Sequence, residues 1–165
     1  AEEAINGFGA VYKEKSLSML RDKVGLFGEQ AEDESLITDL LEWMQRQDAD
    51  YTNTFLDLMS EAPPKGKLYE GDTFKEWHAR WQARLAKNKE PLESSLSLMR
   101  ASNPAVIPRN HQVEQVLEAA EKGDRHPLEG LLAALRDPYK NRPDLKPYQS
   151  PPKSEEKVCQ TFCGT

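Results

Sequence analysis

Apolar residues recur at helical spacing from the very start of the chain. Ile5, Phe8, Val11, Tyr12, Met19, Leu20 and Val24 follow the period of about 3.6 residues that marks an α-helix. Gly25-Leu26-Phe27-Gly28 ends this helix, since glycine takes up the positive φ of a helix end without a Cβ clash. The acidic run Glu32-Asp33-Glu34 opens a second helix, where the dipole favours negative charge, and Leu36, Ile37, Leu40, Leu41 and Met44 share one face. A short third helix follows Asp48-Ala49-Asp50, with Thr52 as its expected cap and Phe55, Leu56, Leu58 and Met59 turned inward. Pro63-Pro64-Lys65-Gly66 then breaks the chain.

Asp72 is the expected cap of a fourth helix whose stripe is Phe74, Trp77, Trp81 and Leu85. Pro91 suits the first turn of a fifth helix running to about Met99. Asn103-Pro104-Ala105-Val106-Ile107-Pro108 reads as extended, because each proline pushes its predecessor out of the α region. A sixth helix is expected from about Asn110 to Lys122, burying Val113, Val116, Leu117 and Ala120 and ending at Gly123. A seventh begins at Pro127 and carries Leu128, Leu131, Leu132 and Leu135. From Asp137 the character changes: Pro138, Pro143, Pro147, Pro151 and Pro152 predict a stiff, extended segment. The pattern therefore predicts an all-α fold, six to seven short helices in an irregular bundle, plus an extended Pro-rich tail. Residues 1–136 form the helical domain and 137–165 the tail. A helical pattern already running at Ala1, with no Met and no cap before it, further predicts a piece of a longer protein.

Composition narrows the function. The chain has 165 residues, 38% hydrophobic and 30% charged, with a mean hydropathy of −0.76. That is polar, but the regular apolar spacing is that of a folded chain, and the length suits one domain. No apolar run approaches the roughly 18 residues of a membrane span, so a soluble protein without a membrane partner is expected. Residues 1–62 carry five basic and fourteen acidic side chains, a net −9, within a total of −6. Such an acidic front argues against a nucleic-acid partner, which calls for a clustered basic face. Cys159 and Cys163 are the two cysteines, both near the end, a usage that fits a reducing, cytoplasmic compartment better than a secreted disulfide scaffold.

Few residues offer chemistry. Asp48-Ala49-Asp50-Tyr51-Thr52 matches the D-x-D-x-T string of enzymes with an aspartate nucleophile, but it follows a helix and not a buried strand. As a calcium loop it fails at Asn53, where glycine is needed, and at Met59, where a bidentate Glu is needed. Caps in a helix–loop–helix connection are the simpler expectation. His78, His111 and His126 are scattered without partners at ligand spacing, so surface or capping roles are expected for them. Trp77 and Trp81 read as core. Gly66-Lys67 lacks the spacing of a phosphate loop. Arg109-Asn110 places polar groups at a helix start, to cap that helix or dock another domain. Cys159-x-x-x-Cys163 is not a C-x-x-C motif. The two thiols can pair with each other or reach elsewhere, and a redox role depends on thiolate character and exposure. Residue by residue, the chain reads as a helical domain without an active site.

Longer stretches carry a resemblance. Asp50-Tyr51-Thr52-Asn53-Thr54-Phe55, the run Met99-Arg100-Ala101-Ser102-Asn103-Pro104-Ala105-Val106-Ile107-Pro108-Arg109-Asn110-His111, Leu135-Arg136-Asp137-Pro138-Tyr139 and the terminal Gln160-Thr161-Phe162-Cys163-Gly164-Thr165 together resemble the C-terminal part of the selenoprotein-O (YdiU/SelO) family. The resemblance runs from near Phe8 to Thr165. It implies a whole protein with a protein-kinase-like fold that uses ATP and Mg²⁺ or Mn²⁺ to transfer AMP to Ser, Thr or Tyr of protein substrates. The lysine, arginines, catalytic base and metal-binding Asn/Asp of such proteins lie in an upstream kinase-like domain, and none of those motifs is found here. No catalytic, cofactor-binding or metal-binding residue is therefore assigned in this chain. The partners implied are that upstream domain and the protein substrates. Family members also place a cysteine very near the C-terminus, so the resemblance makes Cys163, with Cys159 beside it, the candidate redox or regulatory residue. Two rival expectations are a free-standing helical interaction module whose acidic face steers basic partners, and a small thiol-redox protein.

Overall fold

The helix stop expected after Val24 is set by close packing as well as by φ. In the computed structural model, which describes residues 2–60 and 63–156, α1 (Glu2–Lys23) ends just before Gly25, whose φ is +72°. A Cβ at Gly25 would meet Cγ and Sδ of Met99 and the carbonyl oxygen of Ser95 at 3.0 Å, so no larger residue fits. The described residues contain eight α-helices and three short 3-10 helices, without a strand, as an all-α pattern requires. They fall into two compact units, residues 1–103 and the residues from 104 on.

In the first unit α1 packs against α2 (Asp33–Arg46) and α5 (Leu92–Ser102), and α2 against α4 (Asp72–Leu85). α2 buries Leu36, Ile37, Leu40, Trp43 and Met44, while Leu41 is half-buried. The short α3 (Tyr51–Leu58) is capped by Asp50 and not by Thr52: the Asn53 N–H donates to Asp50 Oδ1 at 2.8 Å, from an extended Asp50 backbone that aims the carboxylate at the helix start. Gly71 holds the N-cap position of α4, and Asp72, expected there, is its first residue. The core is an aromatic ladder. Trp43 and Tyr69 both lie against Phe74, at 4.8 Å between ring centroids, and Trp77 and Trp81 stack at 5.8 Å. Each of these two indole N–H groups finds a backbone acceptor: Trp77 donates to the Leu36 carbonyl at 2.8 Å and Trp81 to that of Val24 at 2.9 Å. The ladder thereby ties α4 to α2 and to the end of α1.

Arg84, not Leu85, is the fully buried residue at the end of the α4 stripe. Its guanidinium grips Asp33 through two hydrogen bonds, Nε to Oδ1 at 2.6 Å and Nη2 to Oδ2 at 3.2 Å. Nη1 donates to Asn88 Oδ1 at 3.0 Å and Nη2 to the Phe27 carbonyl at 3.1 Å. Asp33 Oδ2 also accepts from Arg21 Nε and from the Gln30 N–H, both at 3.0 Å. Asn88 completes the knot, accepting from the Phe27 N–H and donating to the Gly25 carbonyl and Ser95 Oγ. A second tie sits nearby: Lys23 Nζ donates to the Ser102 carbonyl at 3.1 Å and Asn103 Oδ1 at 3.2 Å, over the rings of Tyr51 and Phe55. Burial of that ammonium lowers the Lys23 pKa.

In the second unit α6 (Asn110–Glu121) packs against α7 (His126–Leu135), with Pro127 in the first turn of α7. The N–H groups of Ala105 and Val106 both donate to the Pro138 carbonyl, at 2.6 and 3.2 Å. Val106, Ala134 and Leu145 make a small core with Leu135 and Tyr148 against it. Val116 is buried as expected, but Leu117 is 47% exposed. Over residues 138–156 the segment is not uniformly extended. Pro143–Leu145 is a 3-10 turn, Lys146–Gln149 is α8, and Ser154–Glu156 is a further 3-10 turn. The prolines at 143 and 147 fall in first turns, where the missing N–H would have had no helical partner.

Two outcomes follow from this packing. Burial alone would raise the Asp33 pKa, but hydrogen bonds from Arg84, the Gln30 N–H and Arg21, with the Arg84 charge, outweigh it and lower it. Asp33 thus contributes stability that is present above the ordinary carboxylate pKa of about 3.9 and lost as pH falls through the lower folded value. Asp33→Asn is expected to weaken the first unit at neutral pH and to flatten the acid limb of its stability–pH curve, read by urea unfolding at a series of pH values. In the second unit, a Cβ at Gly130 would lie 2.7 Å from the Tyr148 hydroxyl. Gly130→Val should cost about 1–3 kcal/mol by overpacking, and Gly130→Ala less.

Candidate functional site

The two cysteines singled out from the sequence, Cys159 and Cys163, lie outside the described residues. The D-x-D-x-T string is well placed and does structural work. Asp48 takes a left-handed φ of 49° to end the helix before it, a conformation Asp tolerates, and Asp50 caps the helix after it. Thr54 Oγ1 donates to the Asp50 carbonyl at 2.8 Å. No strand delivers these carboxylates to a pocket, so they do not form an aspartyl nucleophile.

The Ile107–His111 stretch is where the second unit concentrates polar groups. Arg109 and His111 are each only 8% exposed, so of the surface or capping roles expected of His111 the surface one does not hold. Arg109 holds the N-cap position of α6 with an extended backbone, and no side chain caps that end. With Ile107, Pro108, Asn110, Pro152 and Glu156 these residues line a recess of about 410 Å³. Gln112, one turn into α6, donates through Nε2 to the Pro147 carbonyl at 2.9 Å, tying the helix to the proline-rich segment. The recess is polar and built from one continuous stretch plus that segment. Among the described residues it brings no hydroxyl or thiol beside a base.

A second cavity, about 430 Å³, lies in the first unit between α4 and α5. Its walls are largely apolar, with Leu58, Trp81, Leu85, Leu96 and Met99, and His78 stands at its edge. His78 is half-buried against Phe74 and Trp81, at 5.6 and 5.3 Å between centroids, and burial lowers its pKa. Ser60, Gln82, Asn88, Glu90 and Ser95 are polar residues of the wall, and of these Asn88 and Ser95 are engaged in the knot around Arg84. His126 is exposed, and its backbone N–H donates to Asp124.

Among the described residues no three His, Cys, Asp or Glu side chains gather as a metal site would need. The most buried cation, Arg84, and the most buried carboxylate, Asp33, pair with each other. Among the described residues, no helix is long and apolar enough to cross a membrane.

Comparison with known proteins supplies the context that the geometry lacks. A family model described as protein adenylyltransferase SelO matches residues 1–136. The chain is 52% identical over 166 aligned positions to the protein nucleotidyltransferase YdiU of Alcanivorax borkumensis and to that of Nitrosococcus oceani, and 45% identical to that of Syntrophotalea carbinolica. Each match covers 100% of this chain and 34% of the relative, so the chain spans about a third of the length of these curated relatives. The chain belongs to the SelO family.

The environment of His78 sets a further expectation. A depressed folded pKa means that the unfolded chain takes up the proton first, so stability declines as pH drops below the ordinary histidine value of about 6.5. An NMR titration of the His78 ring should give a midpoint below that value. His78→Phe should remove this part of the pH dependence; a midpoint at the ordinary value would show the ring to be solvated, and one above it would show it to be ion-paired.

Proposed function

We propose that this chain is the C-terminal helical part of a bacterial, cytoplasmic protein adenylyltransferase, an enzyme that transfers AMP from ATP to Ser, Thr or Tyr of protein targets. The observation that carries the reading is the family match over residues 1–136, together with relatives three times as long. ATP and Mg²⁺ or Mn²⁺ are held by the remainder of the protein in this reading, in a kinase-like domain upstream. The helical part contributes structure: it supports that domain and helps to present protein substrates. Two features support a structural role. Its buried charged groups, Asp33 and Arg84, are mutually satisfied, and its Asp48–Thr54 stretch works as a helix cap.

The same reading gives Cys163, with Cys159 nearby, a regulatory role. Exchange of the Cys163 thiolate with an external disulfide, followed by attack of a second protein thiol, would leave a protein disulfide and release the external pair as two thiols. Cys163→Ser should then leave activity of the whole protein intact but insensitive to thiol oxidants; unchanged sensitivity would assign the redox response elsewhere. The chain by itself is expected to fold as a helical domain and to bind no ATP at millimolar Mg²⁺ by calorimetry. Clear saturable binding would overturn the assignment of the nucleotide to the rest of the protein.

A further inference from the structure

α1 carries two apolar stripes on opposite sides, and among the described residues only one of them is packed. Leu17, Leu20 and Val24 face α2 and α5 and pack into the core of the first unit. Phe8, Val11, Tyr12 and Met19 are 68%, 55%, 65% and 48% exposed. Leu17 follows Phe8 by nine residues, about two and a half helical turns, which places the two stripes back to back. The exposed stripe is ordered within itself, the Phe8 and Tyr12 rings stacking at 6.1 Å. Lys15, the one charged residue between Tyr12 and Met19 on this side, is exposed and has an aliphatic stem that can lie along an apolar partner.

The exposed half of α1 is also a poor helix when unsupported. Gly7 and Gly9 sit inside it, with open space around both, and each lowers helix stability by about 1 kcal/mol relative to Ala. A helix with two interior glycines and an outward row of large apolar groups is stabilised by burial, not by propensity.

We infer that the Phe8–Val11–Tyr12–Met19 face is the seat of an apolar surface on the remainder of the same polypeptide, the portion that makes up about two-thirds of the curated relatives' length and that this chain does not span. The inference rests on the reading of the chain as part of an adenylyltransferase. α1 is then a shared helix, one side belonging to the helical core and the other to the neighbouring domain. A second copy of this chain is the competing occupant, and the helix supplies the same apolar area to either.

Grafting the chain into the Alcanivorax borkumensis relative, in place of its matching third, gives a full-length protein in which amide hydrogen exchange can be followed. Exchange over residues 7–20 should be at least about tenfold slower in the grafted protein than in the chain alone. Phe8→Asp with Tyr12→Asp should abolish that difference, as should Met19→Asp, while Leu92→Asp, at another exposed apolar position, should not. These side chains are exposed, so the circular dichroism of the chain alone should remain helical in each variant. Equal exchange in both contexts, or protection untouched by the substitutions, overturns the inference. Protection in the chain alone that grows with concentration and disappears in Phe8→Asp overturns it in favour of a second copy. AMP transfer by the grafted protein is read separately: transfer without protection defeats the docking face alone, and protection without transfer defeats the enzymatic reading alone.

Discussion

The first unit depends on one buried ion pair. Asp33 is wholly inaccessible and Arg84 nearly so, and between them they engage the end of α1, the loop after it, the start of α2 and the end of α4. A pair so deeply buried contributes little net stability against well-packed apolar residues, because desolvating both charges offsets their attraction. Its effect is one of specification. With Asp33 removed, Arg84 is left charged and dry, and with Arg84 removed, Asp33 keeps only Arg21 and the Gln30 N–H, so alternative arrangements of the loop over residues 25–32 are disfavoured. Gly25 and Asn88 extend the same constraint, the first by admitting Met99 against the backbone and the second by stapling the loop to Ser95 of α5.

That arrangement bears on function through what it uses up. A buried guanidinium, a buried carboxylate and a helix-capping aspartate are groups from which sites are often built, and here each is saturated by its neighbours. The outward side of α1, by contrast, presents apolar groups, Phe8, Val11, Tyr12 and Met19, at the surface.

Much of the helical architecture was legible from periodicity. The stripes on α2, α4 and α6 and the stops at Gly25, Pro63-Pro64 and Gly123 are local properties, and local physics decides them. Arg84 was not legible. A stripe ending in Leu85 and one ending in Arg84 fit the same helix, and only the arrival of Asp33, fifty-one residues earlier, makes the arginine the buried one. Trp43 displaced Leu41 from the α2 face for a like reason, since Tyr69 and Phe74 supply it with ring contacts from distant sequence. The chain at Pro138 is held by the 105–106 N–H groups, partners that composition does not reveal. The capping role of Asp50 in place of Thr52 shows the reach of local rules: both residues belong to one capping motif, and the structure uses the aspartate two residues earlier.

The most direct test of the central constraint is a double-mutant cycle on Asp33→Leu and Arg84→Met in urea. The three tryptophans, Trp43, Trp77 and Trp81, all lie in the first unit, so their fluorescence reports that unit alone. Each single substitution should cost about 3–5 kcal/mol, and the double variant should recover a large part of the summed loss, as a buried pair replaced by apolar groups does. Losses that simply add to within about 0.5 kcal/mol would show that Asp33 and Arg84 act independently, and would contradict the account of a fold specified by their pairing.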